Sequence, residues 1–163
     1  MTSTPKPPNL SHVGPEGDAR MVDVSQKPVT QREATASAVV HLQPAVLEAL
    51  LAGSLPKGDA VATARIAGIQ AAKRTSEWIP MCHPLPLDWV RVEFARTAPG
   101  ELSITCTTKS TGRTGVEMEA LTGAAAAALT IYDMAKSADQ AMVIGPIQLE
   151  HKTGGRRGAY TRV

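Results

Sequence analysis

The sequence predicts an α+β fold of the ferredoxin-like kind, an antiparallel sheet with its helices packed on one face. Two stretches of alternating apolar residues, 90–94 and 102–106, flank the turn-forming pair Pro99-Gly100, a pattern typical of a β-hairpin. Two helical segments precede this hairpin, and a long helical segment and a last strand follow it. The resulting order, β-α-α-β-β-α-β, indicates this fold class.

The elements before the hairpin are predicted from β-branched residues, proline and helix caps. Residues 35–42 carry several β-branched side chains and are expected to form a strand. A short helix follows over residues 44–51, because Pro44 suits the first turn of a helix. Asp59 is placed as the N-cap of a second helix, which ends at basic residues near position 73, where the helix dipole favours cations.

The segments around and after the hairpin are predicted from proline and from helix length. Three prolines hold residues 79–86 extended and forbid a helix there. A long helix is expected from about residue 115 to residue 136. Residues 143–151 are expected to form the last strand, in which Pro146 indicates an edge or a bulge.

The chain is expected to fold as one domain with a flexible segment at each end. Residues 1–20 are rich in proline and glycine and cannot bury enough surface to offset the entropy of ordering them. Residues 21–152 form the single α+β domain, which holds every candidate catalytic residue named below. Residues 153–163, rich in glycine and arginine, are expected to stay mobile until an anion binds them.

Composition argues against several classes of function. The net charge of +2 does not indicate nucleic acid or a membrane as a partner, and no apolar run is long enough to span a bilayer. The start of the chain lacks the order of a signal peptide. Cys82 and Cys106 lack the spacing of a disulfide framework or a structural zinc site. Reduced thiols in a cytoplasmic protein are therefore expected, and no metal site is assigned.

The first candidate cluster is Met81-Cys82-His83, which prolines flank. An extended segment pinned by prolines presents its side chains in fixed directions, as a catalytic or ligand-holding histidine requires. The alternative is a buried cysteine beside a surface histidine.

The second cluster, residues 114–119, opens the long helix. Thr114 and Glu117 have the spacing of a capping box, in which the carboxylate satisfies backbone donors at the helix start. This alone would explain Glu117 without any functional role. Glu119 has no such explanation and remains a functional candidate.

The third cluster lies near the end of the same helix. Asp133 and Lys136 are three residues apart and can form an ion pair on one face, which could be purely a surface feature. An aspartate near a helix C-terminus, however, is electrostatically misplaced. Such a residue beside an ammonium group could be a tuned acid or base.

The distance between these clusters carries a constraint of its own. Glu119 and Asp133 share one helix face within about 40°, yet they lie about 21 Å apart along the helix axis. One copy of the helix cannot bring both to one small substrate. If both serve one reaction, a second subunit must supply one of them across a two-fold interface.

Basic residues are spread over the chain, and many are expected to form a solvated face. Lys57 precedes Gly58, and Lys152 precedes Gly154-Gly155, where backbone N–H groups are accessible to phosphates. The pattern GxxxxGK[ST] is absent, which excludes P-loop chemistry but leaves recognition of a di- or triphosphate open. The short run Thr30-Gln31-Arg32 is too slight to interpret alone.

Several motifs occur in order over about residues 9–158, without large gaps. They are Met21-Val22-Asp23-Val24, Thr30-x-Arg32, Lys57-Gly58-Asp59, Ala64-Arg65-Ile66-Ala67-Gly68-Ile69, Ala71-Ala72-Lys73-Arg74-Thr75, Ile79-Pro80-Met81-Cys82-His83-Pro84-Leu85, Thr114-Gly115-Val116-Glu117-Met118-Glu119-Ala120-Leu121-Thr122 and Ile131-Tyr132-Asp133-Met134. Together they closely resemble the cyclic pyranopterin monophosphate synthase family of molybdenum cofactor biosynthesis.

The resemblance implies a lyase that converts 3′,8-cyclo-7,8-dihydro-GTP, a cyclic triphosphate derived from GTP, into cyclic pyranopterin monophosphate and pyrophosphate. It also implies the ferredoxin-like fold, a homohexamer built as a trimer of dimers with pockets at the dimer interface, and a functional link to the upstream radical enzyme. No cofactor is assigned, and the sequence leaves assistance by magnesium open.

The resemblance also assigns roles to individual residues. The catalytic positions are Asp133, Lys136, Lys57 and Lys152. The substrate-binding positions are Met81, Cys82, His83, Glu117, Met118, Glu119, Arg32, Lys73 and Arg156.

The chain departs from the family's pattern at two places. Met81 stands where leucine is expected, a change that conserves volume. Arg156-Arg157 stand where Lys-Ser is usual. Charge at position 156 is kept, but arginine is a planar fork and lysine a point charge, so any part of residue 156 in proton transfer is left open.

Two other functions compete with the enzyme. A phosphate-sensing or nucleotide-binding module would need the basic residues but no acid–base pair, and it would form no product. An RNA-binding domain of similar fold would need aromatic residues on its strands, where Phe94 and, at the strand edge, Trp89 stand alone. Release of pyrophosphate from the cyclic intermediate separates the enzyme from both.

Overall fold

The computed structural model describes residues 17–156 and 158–163, which form one five-stranded sheet and four helices. In chain order these are β1 (Thr30–His41), α1 (Pro44–Leu51), α2 (Ala60–Lys73), α3 (Thr75–Trp78), β2 (Trp89–Ala98), β3 (Glu101–Gly112), α4 (Glu117–Ala135), β4 (Val143–Thr153) and β5 (Tyr160–Thr161). The strand order is β2-β3-β1-β4-β5, and every neighbouring pair is antiparallel. The predicted α+β class with an antiparallel sheet is confirmed.

One face of the sheet carries the helices. Alternate residues of β1, from Ala34 to Val40, are fully buried, whereas those between them are half-buried. The same alternation runs along β3 from Leu102 to Thr108. Helix α4 packs over β1, β3 and β4, and α2 packs against α4 and β2. The period of two in strand side chains thus selects the covered face.

Small residues let the two long helices and the sheet approach closely. A Cβ atom added to Gly68 would lie 2.9 Å from the Gly123 carbonyl oxygen, and one added to Gly123 would lie 2.5 Å from the Cys106 sulfur. The core between them is filled mainly by alanine, valine, isoleucine and leucine. The low aromatic content of the chain is therefore the composition of a tightly spaced two-layer core.

The local signals at α2 and β4 are confirmed. The Asp59 side chain accepts a hydrogen bond of 2.9 Å from the Ala62 N–H and so acts as the N-cap of α2. The pairing of β1 with β4 shifts register between Ala38 and Val40, beside Pro146, which is the irregularity that proline indicated.

The structure adds elements that the sequence pattern did not predict. Strand β1 begins at Thr30 rather than at residue 35, α3 is a single turn, and β5 follows the strand expected to be last. Elements of two to four residues are too short to show a period. Of the predicted flexible ends, residues 1–16 lie outside the described residues, and mobility of residues 153–163 stays a prediction. No helix in the described ranges has the length and apolar character that crossing a membrane requires.

Candidate functional site

A cavity of about 970 Å³ lies at one end of the sheet, where β1 begins, β4 ends and α4 begins. Nine of the residues predicted to bind or convert substrate line it: Met81, Cys82, His83, Glu117, Met118, Glu119, Arg32, Lys152 and Arg156. The remaining lining residues include Asp23, Lys27, Thr30, Arg113 and Thr114. Segments far apart in sequence therefore meet in one cavity, and the roles of these residues stay predictions.

Strand register brings these segments together. Thr30 is opposite Gly112 in β3, and Ala34 is opposite Lys152 in β4, so the start of β1 and the ends of both neighbours share one edge. The proline-rich segment is tied to the same edge, because Ser110 Oγ donates a hydrogen bond of 2.7 Å to the Pro86 carbonyl. This anchor places Cys82 and His83 at the cavity.

One carboxyl group that lines the cavity has a pKa near neutral pH. Glu119 is buried, with 4% of its surface exposed, and this burial raises its pKa to about 7, with the charge of Glu117 acting in the same direction. Burial, followed by the charge of Glu119, also raises the pKa of the Cys82 thiol. At neutral pH Cys82 is thus a neutral thiol, and Glu119 can either donate or accept a hydrogen bond.

Glu117 does not form the predicted capping box. Val116 is the N-cap residue of α4, and among the described residues no side-chain hydrogen bond caps the start of this helix. The carboxylate of Glu117 instead forms an ion pair of 2.7 Å with Lys152, which also lines the cavity. It folds over Gly115, where an added Cβ atom would overlap its oxygens. The capping interpretation was wrong because an opposite charge from a distant strand competes for the carboxylate more strongly than backbone donors do.

Arg32 forms part of the cationic wall and is held from two sides. Its Nη2 donates a hydrogen bond of 3.4 Å to the Arg113 carbonyl, while Arg113 Nε donates one of 3.2 Å to the Lys27 carbonyl. On the other side the guanidinium lies directly against Gly155, where any Cβ atom would overlap it. Gly155 has φ +78°, a conformation that favours glycine.

Asp133, Lys136 and Lys57 form a separate cluster at the far end of α4. Lys57 Nζ lies 3.0 Å from one carboxylate oxygen of Asp133 and 2.7 Å from the Asp133 carbonyl oxygen, and Lys136 Nζ lies 2.8 Å from the other carboxylate oxygen. Hydrogen bonds from Lys136 and then Lys57 lower the pKa of Asp133, and the bond to Asp133 raises the pKa of Lys136. The cluster is exposed and does not line the cavity.

Comparison with known proteins identifies the family. Residues 21–155 match the MoaC family. The chain belongs to the MoaC family. It is 59% identical over 152 residues to the cyclic pyranopterin monophosphate synthase of Herpetosiphon aurantiacus, covering 93% of each chain.

Further relatives extend the match. The chain is 55% identical over 153 residues to cyclic pyranopterin monophosphate synthase 1 of Mycobacterium tuberculosis, covering 94% of this chain and 90% of the relative. It is 50% identical to the cyclic pyranopterin monophosphate synthase of Brevibacillus brevis, covering 94% and 96%. The family predicted from the motifs is confirmed.

The predicted site residues and the residues that line the cavity differ in two ways. Lys73, a predicted substrate-binding residue of the MoaC pattern, is exposed at the end of α2 and does not line the cavity, so its role stays a prediction. Conversely, Asp23, Lys27, Thr30 and Arg113 line the cavity without having been assigned a role. Asp23 and Thr30 lie in the family motifs, which was the signal available for them.

Proposed function

We propose that the chain is a cyclic pyranopterin monophosphate synthase, which converts 3′,8-cyclo-7,8-dihydro-GTP into cyclic pyranopterin monophosphate and pyrophosphate. One observation carries the proposal. Relatives of this chain at 50–59% identity bear this name. The chain itself has a cavity that combines cationic side chains with a carboxyl group whose pKa is near neutral pH. The cations suit a polyphosphate, and the carboxyl group suits a nitrogen heterocycle with both donors and acceptors.

In this proposal Arg32, Lys152 and Arg156 hold the triphosphate. All three line one wall of the cavity, and Lys152 is already engaged by Glu117 at 2.7 Å. A bound phosphate competes with Glu117 for the same ammonium group, so the pair exchanges partners on binding. Glu119 and Cys82 face the heterocycle, where a neutral thiol and a carboxyl group that can gain or lose a proton match its ring atoms.

The catalytic cluster at the far end of α4 must come from a second copy of the chain. Apolar residues at helical spacing run between the two ends of α4, namely Met118, Leu121, Ala125, Leu129 and Tyr132, and Leu129 is 57% exposed. If two copies of α4 pack antiparallel through this stripe, about a two-fold axis at the level of Ala126, midway between Glu119 and Asp133, each Glu119 lies at the level of the Asp133 of the other copy. This apolar stripe is the interface that we propose.

The same arrangement joins the two parts of the proposed site. The cavity at the start of α4 holds the residues proposed to bind substrate, and Asp133, Lys136 and Lys57 form the cluster at its end. Antiparallel packing places the cavity of one copy beside the cluster of the other. We infer that three such dimers form the hexamer, which analytical ultracentrifugation tests directly.

The proposed chemistry follows from how the substrate changes the cluster. Asp133 and Lys136 perform general acid–base catalysis while the purine ring is opened and rebuilt. Attack of a sugar hydroxyl oxygen on the α-phosphorus forms the cyclic phosphate and breaks the bond to the pyrophosphate oxygen, which leaves with the bonding electrons. The hydroxyl must lose its proton. When phosphates draw Lys57 and Lys136 away, Asp133 loses the hydrogen bonds that lower its pKa and becomes a stronger base. The protonated lysines stabilise the leaving charge.

The test is turnover of the cyclic intermediate by purified protein, followed as released pyrophosphate. We expect Asp133→Asn and Lys136→Ala each to lower kcat by about a hundredfold or more, the usual effect of removing an acid–base group. Glu93→Gln, which removes an exposed carboxylate paired with Arg91 on β2, is the control and should leave the rate unchanged. Near-normal turnover in both cluster variants, or no pyrophosphate from the unmodified protein, would contradict the proposal.

We place the enzyme in the cytoplasm and infer a functional link to the radical enzyme that supplies its substrate. The chemistry supports the link, because a cyclic dihydro-nucleotide has to be produced by a preceding reaction that joins a ribose carbon to the purine. Adding that reaction's product to this protein should yield pyrophosphate, whereas GTP itself should not. Pyrophosphate release from GTP at a comparable rate would contradict the inferred substrate.

A further inference from the structure

Two buried polar atoms of the cavity wall have no hydrogen-bond partner within the described parts of the chain. They are Thr30 Oγ1 and Arg32 Nε, and both residues line the cavity. A buried donor without a partner destabilises the free protein, because it has lost its hydration and gained nothing in return. A ligand bound in the cavity would supply the hydrogen-bond partners that these two atoms lack.

Strand geometry directs the two side chains to the same place. Thr30 and Arg32 are two residues apart on β1, so they project from the same face of the sheet. Lys152 belongs to the same face, because it is opposite Ala34, which is two residues further along β1. From Ala34 back towards Thr30, this face is not packed under α4 but forms the wall of the cavity.

The chemistry of the two atoms defines what binds there. Arg32 Nε can only donate a hydrogen bond, and the Thr30 hydroxyl can donate another one beside it. The rest of the guanidinium is fixed against Gly155 and the Arg113 carbonyl, so its Nε is held in place. A ligand group that satisfies both must present acceptor oxygens, and Lys152 and Arg156 nearby favour one that carries negative charge.

We propose that Thr30 is a specificity-determining residue whose hydroxyl donates a hydrogen bond to a phosphate oxygen of the substrate, beside Arg32 Nε. This inference rests on the proposed function and adds a residue to which no role has been assigned. The hydroxyl acts in binding the polyphosphate and takes no part in proton transfer.

Thr30→Val and Thr30→Ser test the role of this hydroxyl. Valine keeps the shape and the β-branching of threonine, and serine restores the hydroxyl. We expect Thr30→Val to raise KM for the cyclic intermediate, and the inhibition constant of inorganic pyrophosphate, about tenfold, with kcat changed much less. Thr30→Ser should recover most of this loss. Thr97→Val, at the opposite end of the sheet beside the β2–β3 turn, is the control and should change neither constant.

Thermal unfolding separates a binding role from a structural one. Because the Thr30 hydroxyl has no hydrogen-bond partner among the described residues, Thr30→Val should leave the unfolding midpoint unchanged or raise it. A lowered midpoint, or unchanged KM and pyrophosphate inhibition in Thr30→Val, would overturn the inference while leaving the enzyme assignment intact. Failure of the unmodified protein to release pyrophosphate would instead overturn the proposed function.

Discussion

Mixing two inactive variants tests whether the active site is shared between copies of the chain. Lys152→Ala damages the cavity at the start of α4, and Asp133→Asn damages the cluster at its end. Glu119 and Asp133, which lie near these two ends, are about 21 Å apart along the helix axis, so a single chain cannot present both regions to one substrate. In a mixed dimer one site then receives both substitutions and the other receives neither.

The expected recovery follows from counting sites. If equal amounts of the two variants reassemble at random, about half of the dimers are mixed, and each contains one intact site of two, so activity returns to about a quarter of the unmodified value. Pyrophosphate release is the assay, after unfolding and refolding the variants together. Separately refolded variants give the baseline.

A matched mixture provides the control. Asp133→Asn and Lys136→Ala lie in the same cluster, so every site of their mixed dimer carries one damaged group, and no activity should return. Differently tagged copies show by co-purification that the subunits have exchanged. Exchange without recovery in the first mixture, or equal recovery in both, would refute the shared site.

Three further predictions concern the interface, a buried acid and the core. Leu129→Asp places a charge in the apolar stripe of α4 and should yield an inactive species smaller than the hexamer in sedimentation. Leu51→Asp changes another exposed leucine and should stay assembled and active. Glu119→Gln should make stability less dependent on pH. Burial raises the pKa of Glu119 to about 7 in the folded chain against 4.5 for an exposed glutamate, so ionising it disfavours the folded state. Gly123→Ala should lower the free energy of unfolding by about 1–3 kcal/mol, because its Cβ atom meets the Cys106 sulfur.

The pH dependence of the Glu119 variant has a definite sign. Below pH 4.5 both folded and unfolded states are protonated and Glu119 makes no difference. Between about pH 4.5 and 7 only the unfolded state loses its proton, so this residue lowers stability progressively, by at most about 3 kcal/mol above pH 7. Denaturant unfolding at pH 4 and pH 8 measures the change. An equal difference between variant and unmodified protein at both values would contradict the raised pKa.

The core prediction also has a matched control. A Cβ atom added to Gly112 would lie 3.6 Å from Ser110 Oγ, an ordinary contact, and Gly112 has no positive φ. Gly112→Ala should therefore change the free energy of unfolding by less than about 1 kcal/mol. If both alanine variants cost the same, close packing of α4 on the sheet does not explain Gly123.

Signals that lie within one segment of sequence were sufficient for most of the fold. Alternation of apolar residues predicted the hairpin, a proline and an aspartate fixed the starts of α1 and α2, and a long apolar period predicted α4. The family motifs further predicted residues of the site, whose roles stay predictions, and nine of these residues line one cavity. These features depend on residues close together in the chain, which is why a pattern can show them.

Contacts between segments that are distant in sequence could be found only in the tertiary structure. The capping-box spacing at Glu117 gave no sign that Lys152, 35 positions later, would take the carboxylate. Nor could the sequence show that burial raises the pKa of Glu119 to about 7, or that Thr30 Oγ1 finds no hydrogen-bond partner within residues 17–156 and 158–163. The sequence by itself determined the fold class, the family and the separation of the two clusters along α4. Only the tertiary structure decided which charges meet, because pairing and desolvation depend on strand register and burial rather than on spacing along the chain.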